Sequence, residues 1–406
     1  MRRLFLGNYD FEHQLAKEVY GASGGATSAL NASLTSSWMG LAEEGDMIYL
    51  PGNVPANCLS DFTAAGFPRV EFTNQWPDRK QASEMQLVPW GWSDAVSQIA
   101  ASKGFQSEAP DRGAVQTVNA RTFSFQLEQE WGLALPGSAC VKSLAELELA
   151  VGDLQDVQGV QEIEWVIKAN FSMSARERMR GQGSLLTNQI RGWAEKRLSQ
   201  GQPLFWEPWV NRTAEVGVQF EIPREGDPLL IGIAPLLCDE RGQYRGSRIV
   251  VDESTEKEWQ PAIEVGHQVA RRAQAAGYFG PLGIDAMQYS DALGELQWRA
   301  IQDVNARYTM GRLALGFSRF LKPDHVASWL HFPWKESYGI PFSKWLRCMS
   351  EQGTFEADLI STSPDQIDGQ TLPLANVLLK ANTVDQLCQR EADLMRAVSE
   401  LTEAAC

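Results

Sequence analysis

Four stretches of the chain carry the residue types that hold a polyphosphate and a hard divalent cation. Lys168 closes the apolar run 165–168 and is followed by Asn170, Ser172, Ser174, Arg176, Arg178 and Arg180, then by glycines at 181 and 183. Hydroxyls, glycine amides and guanidinium forks are the groups that grip phosphate oxygens. This stretch is basic inside a chain of net charge −15, although a charged surface loop would have the same composition. Residues 205–210 form a second apolar run, with Glu207, Trp209 and Val210 in it and Glu215 beyond it. Such a strand can offer backbone groups to a purine and a carboxylate to ribose hydroxyls; an ordinary sheet strand with exposed glutamates reads the same way. The remaining two stretches are Gly283-Ile-Asp285 and residues 298–311, which include Arg299, Asp303, Asn305 and Arg307. Side chains repeat every second residue in a strand, so Asp303, Asn305 and Arg307 share a face. If Asp285 lies on the paired strand, two carboxylates and an amide oxygen converge, and phosphate oxygens complete a magnesium site. An arginine beside them clamps a reacting carboxylate or a transferring phosphoryl group. The competing reading is a solvated strand end whose charges pair with one another.

The elements that must position these residues follow from the hydrophobic pattern. Residues 3–7 and 47–50 read as strands and 56–65 and 94–102 as helices, an alternation that predicts a small parallel α/β layer. From residue 119 the texture changes. A helix over 123–131 ends at Gly132, and Ser143 with Glu146 forms a capping box that starts another. Residues 165–168 and 204–210 read as strands around a helix at 187–200. Strands at 215–222 and 229–234 and one long helix at 257–276 lead into a hairpin, 283–289 paired with 295–305. The segment 321–406 is Pro- and Trp-rich, then helical from 375. Trp329, Trp334 and Trp345 read as core, as large aromatics are mostly buried.

Composition removes several classes of function. With 51 acidic against 36 basic residues, the field repels nucleic-acid backbones and anionic membranes. The longest apolar run, 229–238, falls far short of the roughly 20 residues a spanning helix needs. Six scattered cysteines suit free thiols in a reducing cytoplasm. The four histidines lack zinc-ligand spacing, and neither a Walker loop nor a dinucleotide fingerprint is present. Gly21-Ala-Ser23-Gly-Gly25 matches a nucleophile elbow, but the residues before it look helical and polar where the elbow needs a buried strand, so a Gly-rich loop is expected.

Taken in order and spacing over residues 115–315, the four stretches resemble the ATP-grasp superfamily of carboxylate–amine ligases. Asn305-Ala-Arg307-Tyr-Thr-Met-Gly311 looks like the subgroup with a diverged pre-ATP-grasp N-terminal domain. The resemblance implies two α+β subdomains clasping ATP, preceded by a small Rossmann-like domain. The expected boundaries are 1–115 for the pre-ATP-grasp unit, 116–320 for the ATP-grasp domain (lid about 135–205, metal-binding part about 206–320) and 321–406 for a helical extension packed on it.

By the same resemblance, Lys168 holds the α- and β-phosphates and the 170–183 loop, with Ser172, Ser174, Arg176 and Arg178, closes over the triphosphate. Glu207 meets the adenine amino group, Trp209 and Val210 the purine edge, Glu215 the ribose. Asp285, Asp303 and Asn305 bind two magnesium ions. Arg121 stands where many members have lysine, so it becomes the phosphate contact. Position 283 is glycine where an arginine is common, leaving Arg307 or Arg299 to stabilise acyl transfer. The implied reaction activates a carboxylate as an acylphosphate and couples it to an amine, releasing ADP and phosphate. Its small-molecule acid and amine partners are expected to be an amino acid or small peptide, and homodimers are common in the family. A phosphotransferase, a carboxylate–thiol ligase and a non-catalytic nucleotide-binding regulator are the rival readings.

Overall fold

The computed structural model describes residues 1–21, 28–152, 164–172, 177–250, 253–291, 293–351, 353 and 358–404. Ser23, Ser174 and Arg176 lie outside them. Leu4 and Phe5 bury the first strand, β1 (Arg2–Leu6), inside a parallel sheet. With β2 (Met47–Tyr49), β3 (Glu71–Thr73) and β4 (Met85–Pro89) it runs in the order β3-β2-β1-β4. Parallel neighbours need crossovers, and helices supply them, among them α1 (Phe11–Tyr20) and Ala56–Ala64. The loops at the carboxyl ends of β1 and β4 are tied together, Asn8 Nδ2 donating to the Gly91 carbonyl at 2.9 Å. They dock on the segment after the predicted hairpin, where the Tyr308 amide donates to the Trp90 carbonyl at 3.0 Å.

A second, antiparallel sheet is built from β5 (Ala139–Val141), β6 (Glu164–Ala169), β7 (Arg178–Gln182) and β8 (Leu204–Pro208), in the order β5-β8-β6-β7. Trp165, Ile167, Leu204 and Trp206 bury its inner face against helices Leu144–Gly152 and Asn188–Leu198. Gly181 is required there, because a Cβ would stand 2.1 Å from the Trp165 ring. The third sheet is antiparallel and has eight strands. Five of them are β9 (Asn211–Ile222), β10 (Leu229–Cys238), β11 (Tyr244–Ile249), β12 (Gly280–Ser290) and β13 (Leu296–Asn305), in the order β13-β12-β9-β10-β11. Residues expected as one helix at 257–276 form two, Glu253–Glu258 and Gln260–Ala275, since Pro261 lacks an N–H and starts the second.

The C-terminal segment is not a helical extension. It adds β14 (Val326–Pro333), β15 (Leu359–Ser361) and β18 (Leu374–Ala381) to the far side of the large sheet, in the order β11-β14-β18-β15. A small hairpin of β16 (Gln366–Ile367) and β17 (Gln370–Thr371) lies between β15 and β18 in the chain. Strand β18 is almost wholly buried, and a continuous apolar run has no period by which strand and helix can be told apart. The helices Phe342–Glu351 and Val384–Ala404 flank it. Trp329, Trp334 and Trp345 are all buried, as expected of core. Among the described residues, no helix is long and apolar enough to cross a membrane.

Candidate active site

The hairpin forms, and its register sets the site. Asp285 and Asp303 are directly opposite on β12 and β13, and Gly283 is opposite Asn305. Asn305 Nδ2 donates to Asp285 Oδ2 at 3.3 Å. Burial raises the Asp285 carboxyl to about 7, and the charge of Asp303 adds to the rise. A carboxyl held partly neutral beside another carboxylate fits a site completed by a divalent cation. Among the described residues no group of three His, Cys, Asp or Glu side chains forms a ready-made cage. Two carboxylates and an amide oxygen leave the remaining oxygen positions to phosphate or water, which suits magnesium. The glycine at 283 has a local cause: a Cβ there would stand 2.3 Å from Thr309 Cγ2.

Two arginines flank this pair of acids. Arg121 Nη2 donates to Asp303 Oδ2 at 3.0 Å and to Ser172 Oγ at 3.1 Å, so it ties the end of β13 to the chain just after β6. Arg307 donates from Nη2 to Asn305 Oδ1 and from Nη1 to the Tyr308 carbonyl, each at 2.9 Å, and from Nε to Glu12 of α1.

Lys168, Glu207, Arg299 and Glu128 form a buried network. Lys168 Nζ reaches Glu207 Oε2 at 2.6 Å. Arg299 grips Glu207 with Nη1 and Nη2 at 2.8 and 3.0 Å, and Glu128 with Nε and Nη2 at 2.6 and 2.9 Å. Two positive and two negative charges balance. Burial lowers the Lys168 ammonium to about 8, opposed by Glu207. Burial works to raise Glu207, yet Arg299 and Lys168 hold it well below the usual carboxylate range. Burial raises Glu128, against the pull of Arg299.

Two expectations change here. Glu207 is 2% exposed with both oxygens occupied, so it does not face an adenine amino group. Arg299 is equally buried between two carboxylates and cannot reach a reacting acyl group; it is a positioning residue. A bulge in the hairpin separates it from the acids, with Asp285 opposite Asp303 but Met287 opposite Arg299.

Between the small and large sheets lies a cavity of about 520 Å³, lined by Trp209, Val210, Glu215, Leu236 and Cys238 among others. Glu215 is held by Arg212 Nη1 at 2.7 Å. Gly217 is opposite Asp285 on β9, and a Cβ there would stand 2.8 Å from Gln219 Nε2. Arg178 does not lie free over phosphates. It donates to the Arg241 carbonyl and shares the Trp209 ring with Arg180 and Arg212, their guanidinium carbons 5.4, 4.0 and 5.1 Å from its centroid. Burial and these neighbouring cations lower the Arg178 pKa. Tryptophan is the best aromatic acceptor for such cations.

Arg121 is legible in the sequence as a candidate, but its partner Asp303 is 182 residues away. Glu128 carries a signal in the sequence itself. On the helix Arg121–Trp131 it falls with Arg121 and Ser124 on the buried face beside Leu127, three polar residues where apolar ones belong. Glu12 carries none, because its partner is 295 residues distant.

No family model matches the chain, and no curated protein matches it in sequence. Solved structures do match in shape. The carboxyaminoimidazole ribonucleotide synthase of Aspergillus clavatus, complexed with ATP, is 10% identical, with a TM-score of 0.53 over 98% of this chain and 99% of that one. The N5-carboxyaminoimidazole ribonucleotide synthetase of Thermus thermophilus is 14% identical, with a TM-score of 0.51 and 98% of each chain covered. Biotin carboxylase of Campylobacter jejuni is 12% identical, with a TM-score of 0.50 over 94% of this chain and 87% of that one. The fold is ATP-grasp.

Proposed function

We propose that the protein is an ATP-dependent carboxylate–amine ligase that forms an acylphosphate and releases ADP and phosphate. The observation that carries the reading is the meeting of Asp285, Asp303 and Asn305 on paired strands of an ATP-grasp fold, with Arg121 bonded to Asp303 and Lys168 within charge range of Arg121. Adenine enters the cavity at Trp209 and Val210 and is held by the backbone there, with the ribose at Glu215. Asp285, Asp303 and Asn305 would hold magnesium, which would supply positive charge against the phosphoryl group being transferred. A carboxylate oxygen attacks the γ-phosphorus and ADP leaves. The amine nitrogen then attacks the acyl carbon; the C–O bond to phosphate breaks, and phosphate leaves with the electron pair and takes up the amine proton. Arg307 steadies the acyl oxygens, and Arg121 and Lys168 the phosphates. On this reading residues 1–115 are the pre-ATP-grasp unit, the reaction runs in the cytoplasm, and the acid is an amino acid or small peptide.

The experiment that tests it is an ADP-release screen of amino-acid pairs with purified protein, ATP and magnesium. ADP release that requires both an acid and an amine is the expected result; AMP and pyrophosphate would reject the mechanism. Lys168 gives a pH-dependent check. Its ammonium form attracts phosphate and is lost as pH rises through about 8. MgADP affinity, measured by calorimetry, is expected to decline above pH 8 in the wild type. In Lys168→Met it should be weaker by about tenfold to a hundredfold at pH 7, with no step near pH 8.

A further inference from the structure

The small sheet ends on an open edge. Its strand order is β5-β8-β6-β7, and β7 pairs with β6 alone among the described residues. The Ala169 amide donates to the Glu177 carbonyl at 3.0 Å. Bonded and non-bonded pairs alternate along an antiparallel ladder, so Met179 and Gly181 turn their main chain to β6, whereas Arg178 and Arg180 turn theirs outward. Each of these two offers one N–H and one C=O along the free edge. Natural edges are often blunted by charged side chains. Here that guard is drawn aside, since both guanidiniums lie over the Trp209 ring and Arg180 also bonds Glu164 at 2.9 Å. Gly181, between the outward pair and the end of the strand, has no side chain to add.

A groove of about 830 Å³ runs along this edge, between the start of the helix Asn188–Leu198 and the turn from β10 to β11. That volume is in the range of sites that hold a ligand. Arg178, Arg180 and Arg241 line it against one carboxylate, Glu164. Arg241 is exposed, and its guanidinium has no hydrogen-bond or ion-pair partner among the described residues. The helix adds the positive end of its dipole beside Thr187 and Gln189. In a chain of net charge −15 this is a local reversal of sign, and it selects an anionic occupant. A small free anion would leave the outward N–H and C=O groups of β7 unmatched. An extended peptide with acidic side chains matches both the charge and the main chain.

We propose that the β7 edge takes an acidic peptide as a fifth, antiparallel strand of the small sheet, with its carboxylates set against Arg178, Arg180 and Arg241. The direction follows from register. Every pairing in this sheet is antiparallel. Strand β7 begins at Arg178, opposite Lys168, and ends at Gln182, opposite Glu164. A peptide running against it finishes level with Lys168, with its C-terminal carboxylate at the phosphate end of the site. On the ligase reading, on which this last step rests, the peptide is the acid substrate.

An acetylated hexapeptide of alternating glutamate and threonine is the probe, titrated by calorimetry into the MgADP-loaded protein at low salt. Its fully N-methylated counterpart keeps the charge and loses the amide donors; a counterpart with lysine for glutamate reverses the charge. The first peptide is expected to bind, and each of the other two to bind about tenfold more weakly or worse. Arg241→Glu, a change at an exposed side chain, should weaken the first peptide by about tenfold as well, with thermal melting to verify its fold. No binding by the wild type overturns the proposal. So does equal binding of the N-methylated peptide, which would reduce the groove to a charged patch, and so does equal binding by Arg241→Glu. The ADP-release screen keeps the two readings apart. A protein that releases ADP with free amino acids yet does not bind the peptide retains the ligase reading and loses this one. One that binds the peptide through its main chain but never forms ADP does the reverse.

Discussion

Asp303→Ala is expected to lower acid- and amine-dependent ADP release by about a thousandfold or more, because several kcal/mol of phosphoryl-charge stabilisation disappears with the ligand. Asp303 does two things at once. It stands opposite Asp285, and it accepts from the guanidinium of Arg121, a residue only 6% exposed. Alanine therefore also leaves a buried cation without its partner, and part of the loss would come from misplacement. Asp303→Asn separates the two effects, since an amide oxygen still accepts from Arg121 but adds no charge to a cation site. Steady-state turnover of Asp303→Asn within about tenfold of wild type would remove the metal assignment. The neighbour offers a second reading of the same variant. The Asp303 charge helps to push Asp285 towards about 7, so without it Asp285 should titrate lower. Sign follows from linkage: a carboxyl raised in the folded state costs stability as pH climbs from its unfolded value through about 7. Asp303→Asn should accordingly relieve part of that cost in the metal-free protein, so that its stability relative to wild type is higher at about pH 8 than at about pH 4, as thermal melts at the two pH values would show.

Arg299→Met is expected to destabilise the fold by about 3–5 kcal/mol, the usual consequence of removing one member of a buried charge network. Glu128 and Glu207 would be left facing each other with Lys168 alone to balance them. The same substitution loosens the connection between the two sheets, because Glu207 is on β8 of the small sheet and Arg299 on β13 of the large one. Removing a negative charge as well should restore most of the loss, so Glu128→Gln with Arg299→Met forms a double-mutant cycle. Chemical denaturation of the four proteins reads it. A single variant as stable as wild type would mean that the network does not hold the fold.

Much of the fold follows from local pattern. Alternating strand and helix signals predict the N-terminal parallel layer, and period-two alternation predicts the hairpin that places Asp285 opposite Asp303. The tail departs from its expected helical form for a physical reason. Strand β18 is buried on both faces, so its sequence carries no period, and it joins a sheet whose first strands lie far back in the chain.

Residue types and their spacing determined by themselves which side chains are able to hold a phosphate or a cation, because strand geometry fixes which neighbours share a face. Tertiary structure alone decided which of those side chains remain free. Glu207 and Arg299 carry the right chemistry, yet each is consumed by partners from distant segments, and Arg178 is drawn onto Trp209. Charge pairing in a buried interior depends on what folding brings within about 3 Å, and sequence separation says nothing about that distance.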